Sequence, residues 1–179
     1  MGRIARSAAE PRRDARSRLL DAAERLMWER GYEDVGVAEL CAAAHAPRGS
    51  FYHWWPSKQA LTLAMLERSW ERAKAAVIVP SFSGPGPLSA RIDRYSAALE
   101  ATLTRQRDER GCVAGCPFGN FAAELSTREP AIRAAVQRTF IDMCALFSTA
   151  ISEAVADGEV PPDLDPSRPA SRCARTWRA

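Results

Sequence analysis

Apolar positions along the chain recur at three-and-four spacing and hardly ever alternate, so the pattern predicts helices and almost no strand. The first periodic stretch runs from about Asp14 to Arg30, with Leu19, Leu20, Ala23, Leu26 and Met27 on one face. Asp14 has the chemistry of an N-cap, and Gly31 stands where a left-handed C-terminal cap is wanted. A short helix fits Val37 to Ala44, with Val37, Leu40 and Ala44 inward and Gly36 as its cap. Another begins at Pro47, a residue suited to a first turn, and ends before Pro56. Ser57 then caps a long fourth helix that buries Ala60, Leu61, Ala64, Met65 and Val77.

The segment PSFSGPGP, Pro80 to Pro87, reads as a break. A helix from about Leu88 to Arg105 follows, then a charged, Gly-containing connection through RDERGCVAGCP. FGNFAAEL reads as a short helix, and a long one runs from Glu129 to about Ala156, ended by Asp157-Gly158. The last stretch, PPDLDPSRPASRCARTWRA, is rich in Pro and Arg and has no sustained apolar period. No internal repeat is visible. The expected class is all-α: a basic flexible arm at 1–13, helical domains at 14–58 and 59–157, and an irregular tail at 158–179.

Charge and composition refine this picture only in places. A length of 179 residues suffices to bury a core, and a net charge of +3 is too mild to announce a polyanion partner. The distribution says more, since residues 1–18 hold six arginines against Glu10 and Asp14 while the rest nearly cancels. No unbroken apolar run approaches the roughly 18–20 residues of a membrane span, and the Arg-rich start lacks the apolar middle of a secretion signal. A cytoplasmic protein without membrane contact is expected. Cysteines 41, 112, 116, 144 and 173 are odd in number and scattered, which points to reduced thiols. The two histidines, His45 and His53, have no partnered nucleophile at motif spacing, and Cys112 and Cys116 are not spaced as a zinc knuckle. No metal, cofactor or enzyme chemistry is expected.

Helices two and three are separated by only His45-Ala46-Pro47 and span about two turns each. Two short helices joined by a tight turn and braced by a longer one form the helix-turn-helix plan, whose second helix enters the DNA major groove. Phe51 and Trp55, four apart, share an inward face. Arg48, Ser50, Tyr52 and His53 point elsewhere, and all can hydrogen-bond phosphates or base edges. Lys58 gains nothing from the helix dipole in a first turn, so its position asks for an external anion. Trp54 stays open between a base contact and a cover for the Lys58 stem.

The run RSRLLDAAERLMWERGYEDVGVAELCAAAHAPRGSFYHWWPSKQAL, Arg16 to Leu61, resembles the DNA-binding domain of the TetR family of one-component transcriptional repressors. The resemblance lies in the LLDAA opening, Arg-Gly-Tyr at 30–32, and Tyr-x-x-aromatic followed by x-Ser-Lys-x-x-Leu at 52–61. It implies that Tyr52 and Lys58 contact phosphates, and that Arg48, Gly49, Ser50, His53 and Trp54 face phosphates or bases. Arg16 joins them, because arginines of the N-terminal arm add phosphate or minor-groove contacts. His45 stands where the family has Gly, so a positive φ on a tolerated non-Gly residue is expected. Trp55 replaces the usual Phe and needs room beside Ala22, Ala23 and Ala44.

GCPFGNFAAEL, Gly115 to Leu125, looks like the G-C-x-x-G-N-x-A-x-E segment of one TetR subgroup. Some of its members sense electrophiles or oxidants through a cysteine here, and others bind small metabolites. Cys116 falls on that position. The alternatives are a small buried hydrophobe or a disulfide with Cys112; a reactive thiol needs exposure and a nearby helix N-terminus or cation, here Arg107 and Arg110. Trp70, Tyr95, Cys116, Phe118 and Asn120 are the expected pocket lining. The expectation is a homodimeric, ligand-responsive repressor on a double-stranded, near-palindromic DNA operator, released by a small-molecule or electrophile/oxidant inducer, with helix four as the lever. The family pairs through its last two helices, and RPASRCARTWRA does not make an apolar face, so the usual last helix is expected to be missing. Either the chain is truncated or altered at its end, or the helix from Glu129 carries the dimer; the alternative function is a small-molecule or redox sensor with impaired dimerisation and DNA binding.

Overall fold

The computed structural model describes residues 14–111, 113, 115–125 and 128–161, and these hold helices and no strand. The basic arm, Cys112 with its possible pairing, and residues 162–179 with the question of a last helix lie outside the described residues. The chain divides into two compact units, Met1–Leu61 and Thr62–Ala179.

In the first unit α1 (Ala15–Arg30), α2 (Val37–Ala43) and α3 (Arg48–Trp54) pack against one another, and α4 (Lys58–Ala73) begins there before running on into the second. Leu19, Ala23, Val35, Leu40, Phe51 and Leu61 are completely buried. The backbone of Asp14 is extended, and its carboxylate accepts the Ser17 N–H at 2.7 Å, which starts α1. At the other end the Gly31 N–H reaches Met27 O with φ 90 and ψ 171. That is a region reserved for glycine, but it is not the left-handed helical cap expected. Ser57 caps α4 through its hydroxyl, which accepts the Ala60 N–H at 3.1 Å.

In the second unit the expected break at Pro80 does not occur. α4 passes into a π-helical turn, Lys74–Ile78, and then into α5 (Val79–Ser83), and the chain leaves the helix only at Gly84. Proline has no N–H and its ring clashes with the carbonyl four residues back. The π turn shifts the ladder just upstream, with the Val79 N–H on Lys74 O, so Pro80 falls in a first turn where its donor is not needed. Arg94 then closes the end of α5, donating to the carbonyls of Ser81 at 3.0 Å, Gly84 at 3.1 Å and Pro85 at 3.2 Å.

Helix α6 (Leu88–Arg110) outlasts its expected end at Arg105, because nothing breaks it before Gly111, left-handed at φ 74 with its N–H on Arg107 O. The Glu159 carboxylate accepts the Leu88 N–H at 2.6 Å at the start of α6, and Arg91 pairs with Glu153. α7 (Pro117–Leu125) packs on α8 (Pro130–Ala156), whose end is closed by Glu159 N–H to Ala154 O and Gly158 N–H to Val155 O. Trp70, Ile78, Phe118, Phe121, Ile132 and Val136 are buried in this unit. Val37, Ala60, Ala64 and Val77, expected inward, are only half-buried.

One expectation needs correction at α8. By length and a mean hydropathy of 1.3 over an 18-residue stretch this helix is apolar enough to cross a membrane, with 22% of that stretch buried. Arg138 and Asp142 interrupt its apolar positions, so no continuous apolar run marks this helix in the sequence.

The Ser17 N–H holds the Asp14 carboxyl below its ordinary pKa. A depressed folded-state pKa contributes stability that is present above the unfolded value and lost as pH falls through the folded one. Asp14→Asn keeps the cap without the charge, so its thermal midpoint should fall less than wild type's on acidification below about pH 4. Thermal unfolding of both proteins between neutral and acid pH checks this.

Candidate nucleic-acid interface and sensor region

The interface is built on α3, seven residues long and started by Pro47, whose φ of −67 and ψ of 151 make it the cap and not the first helical residue. Phe51 is completely buried and Trp55 is 6% exposed, their rings 6.3 Å apart, so the expected inward pair is in place. Ala22, Ala23 and Ala44, expected to leave room for Trp55, are all buried. On the remaining faces Arg48, Gly49 and His53 are exposed, Ser50 is half-buried, Tyr52 is 58% exposed and Trp54 45%. Tyr52 rests edge-on against Phe51 at 5.1 Å, and Trp54 against His53 at 4.8 Å.

The basic residues are tied to the fold as well as turned to solvent. The Arg16 guanidinium lies 5.9 Å from the centre of the Trp55 ring. Lys58 Nζ donates to the Tyr32 carbonyl at 2.9 Å and sits 4.0 Å from the Tyr32 ring centre. Its position therefore has an internal reason as well as the expected external anion. Burial pushes the Cys41 thiol up, and the Arg48 charge partly offsets this. His45 takes the positive φ expected of it, 47°, and is the one described non-glycine residue to do so.

In the second unit the five expected pocket residues fall into two groups. Trp70 and Phe118 are buried edge to face at 6.3 Å. Tyr95 is half-buried with Phe82 and Phe147, all three rings within 5.8 Å of one another, and burial followed by the Cys116 thiol raises its pKa. Cys116 is exposed at the start of α7, its carbonyl accepting the Asn120 N–H at 3.0 Å, and the Asn120 side chain is exposed too. A cavity of about 390 Å³ between α4 and α8 is lined by Trp70 with Leu66, Glu67, Arg138, Thr139 and Asp142. Another of about 290 Å³ is lined by Ile78, Phe82, Arg91, Leu146, Ala150 and Glu153. Tyr95, Cys116, Phe118 and Asn120 line neither of these two. A break at Pro80 removes Phe82 from any helix face, and Phe147, on α8, carries no local signal that pairs it with Phe82 or Tyr95. No group of three potential metal ligands occurs among the described residues.

Residues 19–65 match the family model described as bacterial regulatory proteins, tetR family, and residues 90–179 match that of the Tetracyclin repressor-like C-terminal domain. The chain belongs to the TetR family. It is thus a member of a family of DNA-binding transcriptional repressors with a ligand-binding C-terminal domain, which are not enzymes. This TetR-family chain is 33% identical over 138 residues to the HTH-type transcriptional repressor NemR of Escherichia coli (strain K12), covering 77% of this chain and 67% of that protein. It is 29% identical over 167 residues to the repressor DhaR of Mycobacterium sp. (strain GP1), covering 93% and 80%. Among solved structures, the reduced form of E. coli NemR superposes with a TM-score of 0.75 at 29% identity, over 92% of this chain and 83% of that one. A regulatory protein TetR from Rhodobacter sphaeroides gives 0.74 at 28%, over the same shares.

Phe51→Ala should cost about 3–5 kcal/mol, because it empties the space under α3, whereas Tyr52→Phe should stay within about 0.5 kcal/mol. Denaturant unfolding followed by circular dichroism distinguishes the two.

Proposed function

We propose that this TetR-family regulator is a ligand-responsive repressor that binds a near-palindromic operator as a homodimer in the cytoplasm. It leaves the operator when a small molecule or an electrophile engages its second unit. The observation that carries the DNA half is the outer face of α3, where Arg48, Gly49, Tyr52, His53 and Trp54 are exposed around a buried Phe51. Arg16, Ser50 and Lys58 complete the contact set. An ammonium carries three donors, so the bond from Lys58 to Tyr32 O is compatible with a phosphate on another.

Gly49 adds support of a different kind. A glycine inside a helix costs about 1 kcal/mol relative to alanine, and a Cβ built at Gly49 meets nothing within 4 Å beyond its chain neighbours and its own helix backbone. The fold does not require the glycine; close approach of a DNA backbone would. Two such helices in one dimer would enter successive major grooves about 34–36 Å apart. Pairing through α8 accords with the small share of its apolar stretch that is buried and with Ile141, which is exposed. An inducer would act by binding preferentially the conformer whose reading heads are wrongly spaced.

For the inducer, an electrophile or oxidant is favoured by Cys116, the exposed thiol among the described cysteines.

Fluorescence anisotropy on the DNA flanking the gene tests the repressor reading. Binding should weaken steeply with salt, and sedimentation should show two subunits per duplex. Tyr52→Phe and Lys58→Ala should weaken binding to all sequences alike, with Lys58→Ala also lowering the thermal midpoint. Gly49→Ala should raise stability by about 1 kcal/mol while reducing affinity. Salt-insensitive binding, or a Gly49→Ala protein with undiminished affinity, would count against the assignment. Separately, Cys116→Ser should abolish release by a thiol-reactive electrophile; a retained response would place the sensor elsewhere.

A further inference from the structure

The turn between α2 and α3 is held from outside itself. At the end of α2 the Ala46 N–H bonds Cys41 O at 2.9 Å and the His45 N–H bonds Ala42 O at 3.1 Å, the paired closure of a Schellman motif. The left-handed position of that motif is His45, at φ 47. Glycine takes this conformation freely, whereas a residue with a Cβ is strained there. The closure leaves the carbonyls of Ala44 and His45 without helical donors, and α2 has no basic residue in its last turn.

Arg18, in the first turn of α1, supplies what α2 lacks. Its Nε donates to Ala44 O at 2.9 Å, and its Nη2 reaches His45 O at a longer 3.4 Å. A guanidinium there also meets the negative end of the α2 dipole. Ala46 follows, buried, and then Pro47, which caps α3, so the geometry of residues 44 and 45 sets the direction in which α3 leaves the turn.

We infer that Arg18 is a positioning residue for DNA recognition. It grips the carbonyls of Ala44 and His45 and keeps a strained turn in the conformation that aims α3. The inference rests on the DNA-binding role of the first unit and is independent of the inducer and of how subunits pair. In the sequence Arg18 counts as part of a basic arm facing a polyanion; the fold turns it inward instead.

The experiment compares full-length wild type with R18A, R18K, H45G and R18A/H45G. One arm measures affinity for a duplex recovered from a random pool by the wild-type protein, across a salt series. The other measures amide hydrogen exchange in residues 45–54, which needs no DNA. R18A should weaken binding about tenfold, leave the salt slope unchanged and speed exchange in α3 more than in α1. R18K, which can reach one carbonyl but cannot fork, should fall between. In the H45G background the loss from removing Arg18 should shrink to about threefold or less, because glycine keeps the turn without the clamp. Equal losses in both backgrounds would overturn the inference. So would a salt slope reduced by about one charge, which marks a direct phosphate contact. Unchanged affinity in R18A with a lowered thermal midpoint would reduce Arg18 to a stability role, and unchanged exchange in α3 would remove the clamp altogether.

Discussion

The recognition helix is too short to exist alone. Seven residues form barely two turns, and a helix of that length does not repay the cost of its own nucleation in water. α3 is helical because Phe51 is driven out of water into the space under it, and because Pro47 fixes the backbone at its start. The first unit serves that one burial. α1 and α2 pack against α3, and Trp55 at its other end is buried along with Ala22, Ala23 and Ala44.

Once Phe51 is fixed, helical geometry turns Arg48, Tyr52, His53 and Trp54 to solvent, and the basic residues around them act in two directions. Arg16 lies against the Trp55 ring, Arg18 holds the end of α2, and Lys58 ties the start of α4 to the Tyr32 carbonyl. Each carries positive charge, and each also has an acceptor or a ring within its own unit. Long cationic side chains can serve both ends because their stems are apolar and their heads carry several donors. Losing one of these residues would therefore remove both a charge and a brace.

The second unit is organised by an accommodation of the same kind. Pro80 would end an ordinary helix, but the π turn before it absorbs the missing bond and carries the chain on to Gly84. That extension places Phe82 with Tyr95 and Phe147 in an aromatic cluster, with the Cys116 thiol close enough to act on Tyr95. Cys116 stays exposed because it precedes α7, whose inward positions are taken by Phe118, Phe121 and Ala122.

The sequence by itself determined the local features. Most helix positions, the Asp14 and Ser57 caps and the inward pairing of Phe51 with Trp55 follow from spacing and from residue chemistry over a few neighbours, and the positive φ at His45 follows from the family resemblance. The exposed set on α3 was legible for the same reason, since a 3.6-residue period sorts faces without knowledge of what lies beyond them. Only the tertiary structure decided where the long basic side chains reach, how α4 passes Pro80, and which aromatic rings meet. Arg18 and Ala44 are 26 residues apart, as are Lys58 and Tyr32, and no local pattern encodes a partner at that distance. Such contacts depend on how helices pack, and packing is set by the sum of many weak burials that no single stretch of sequence contains.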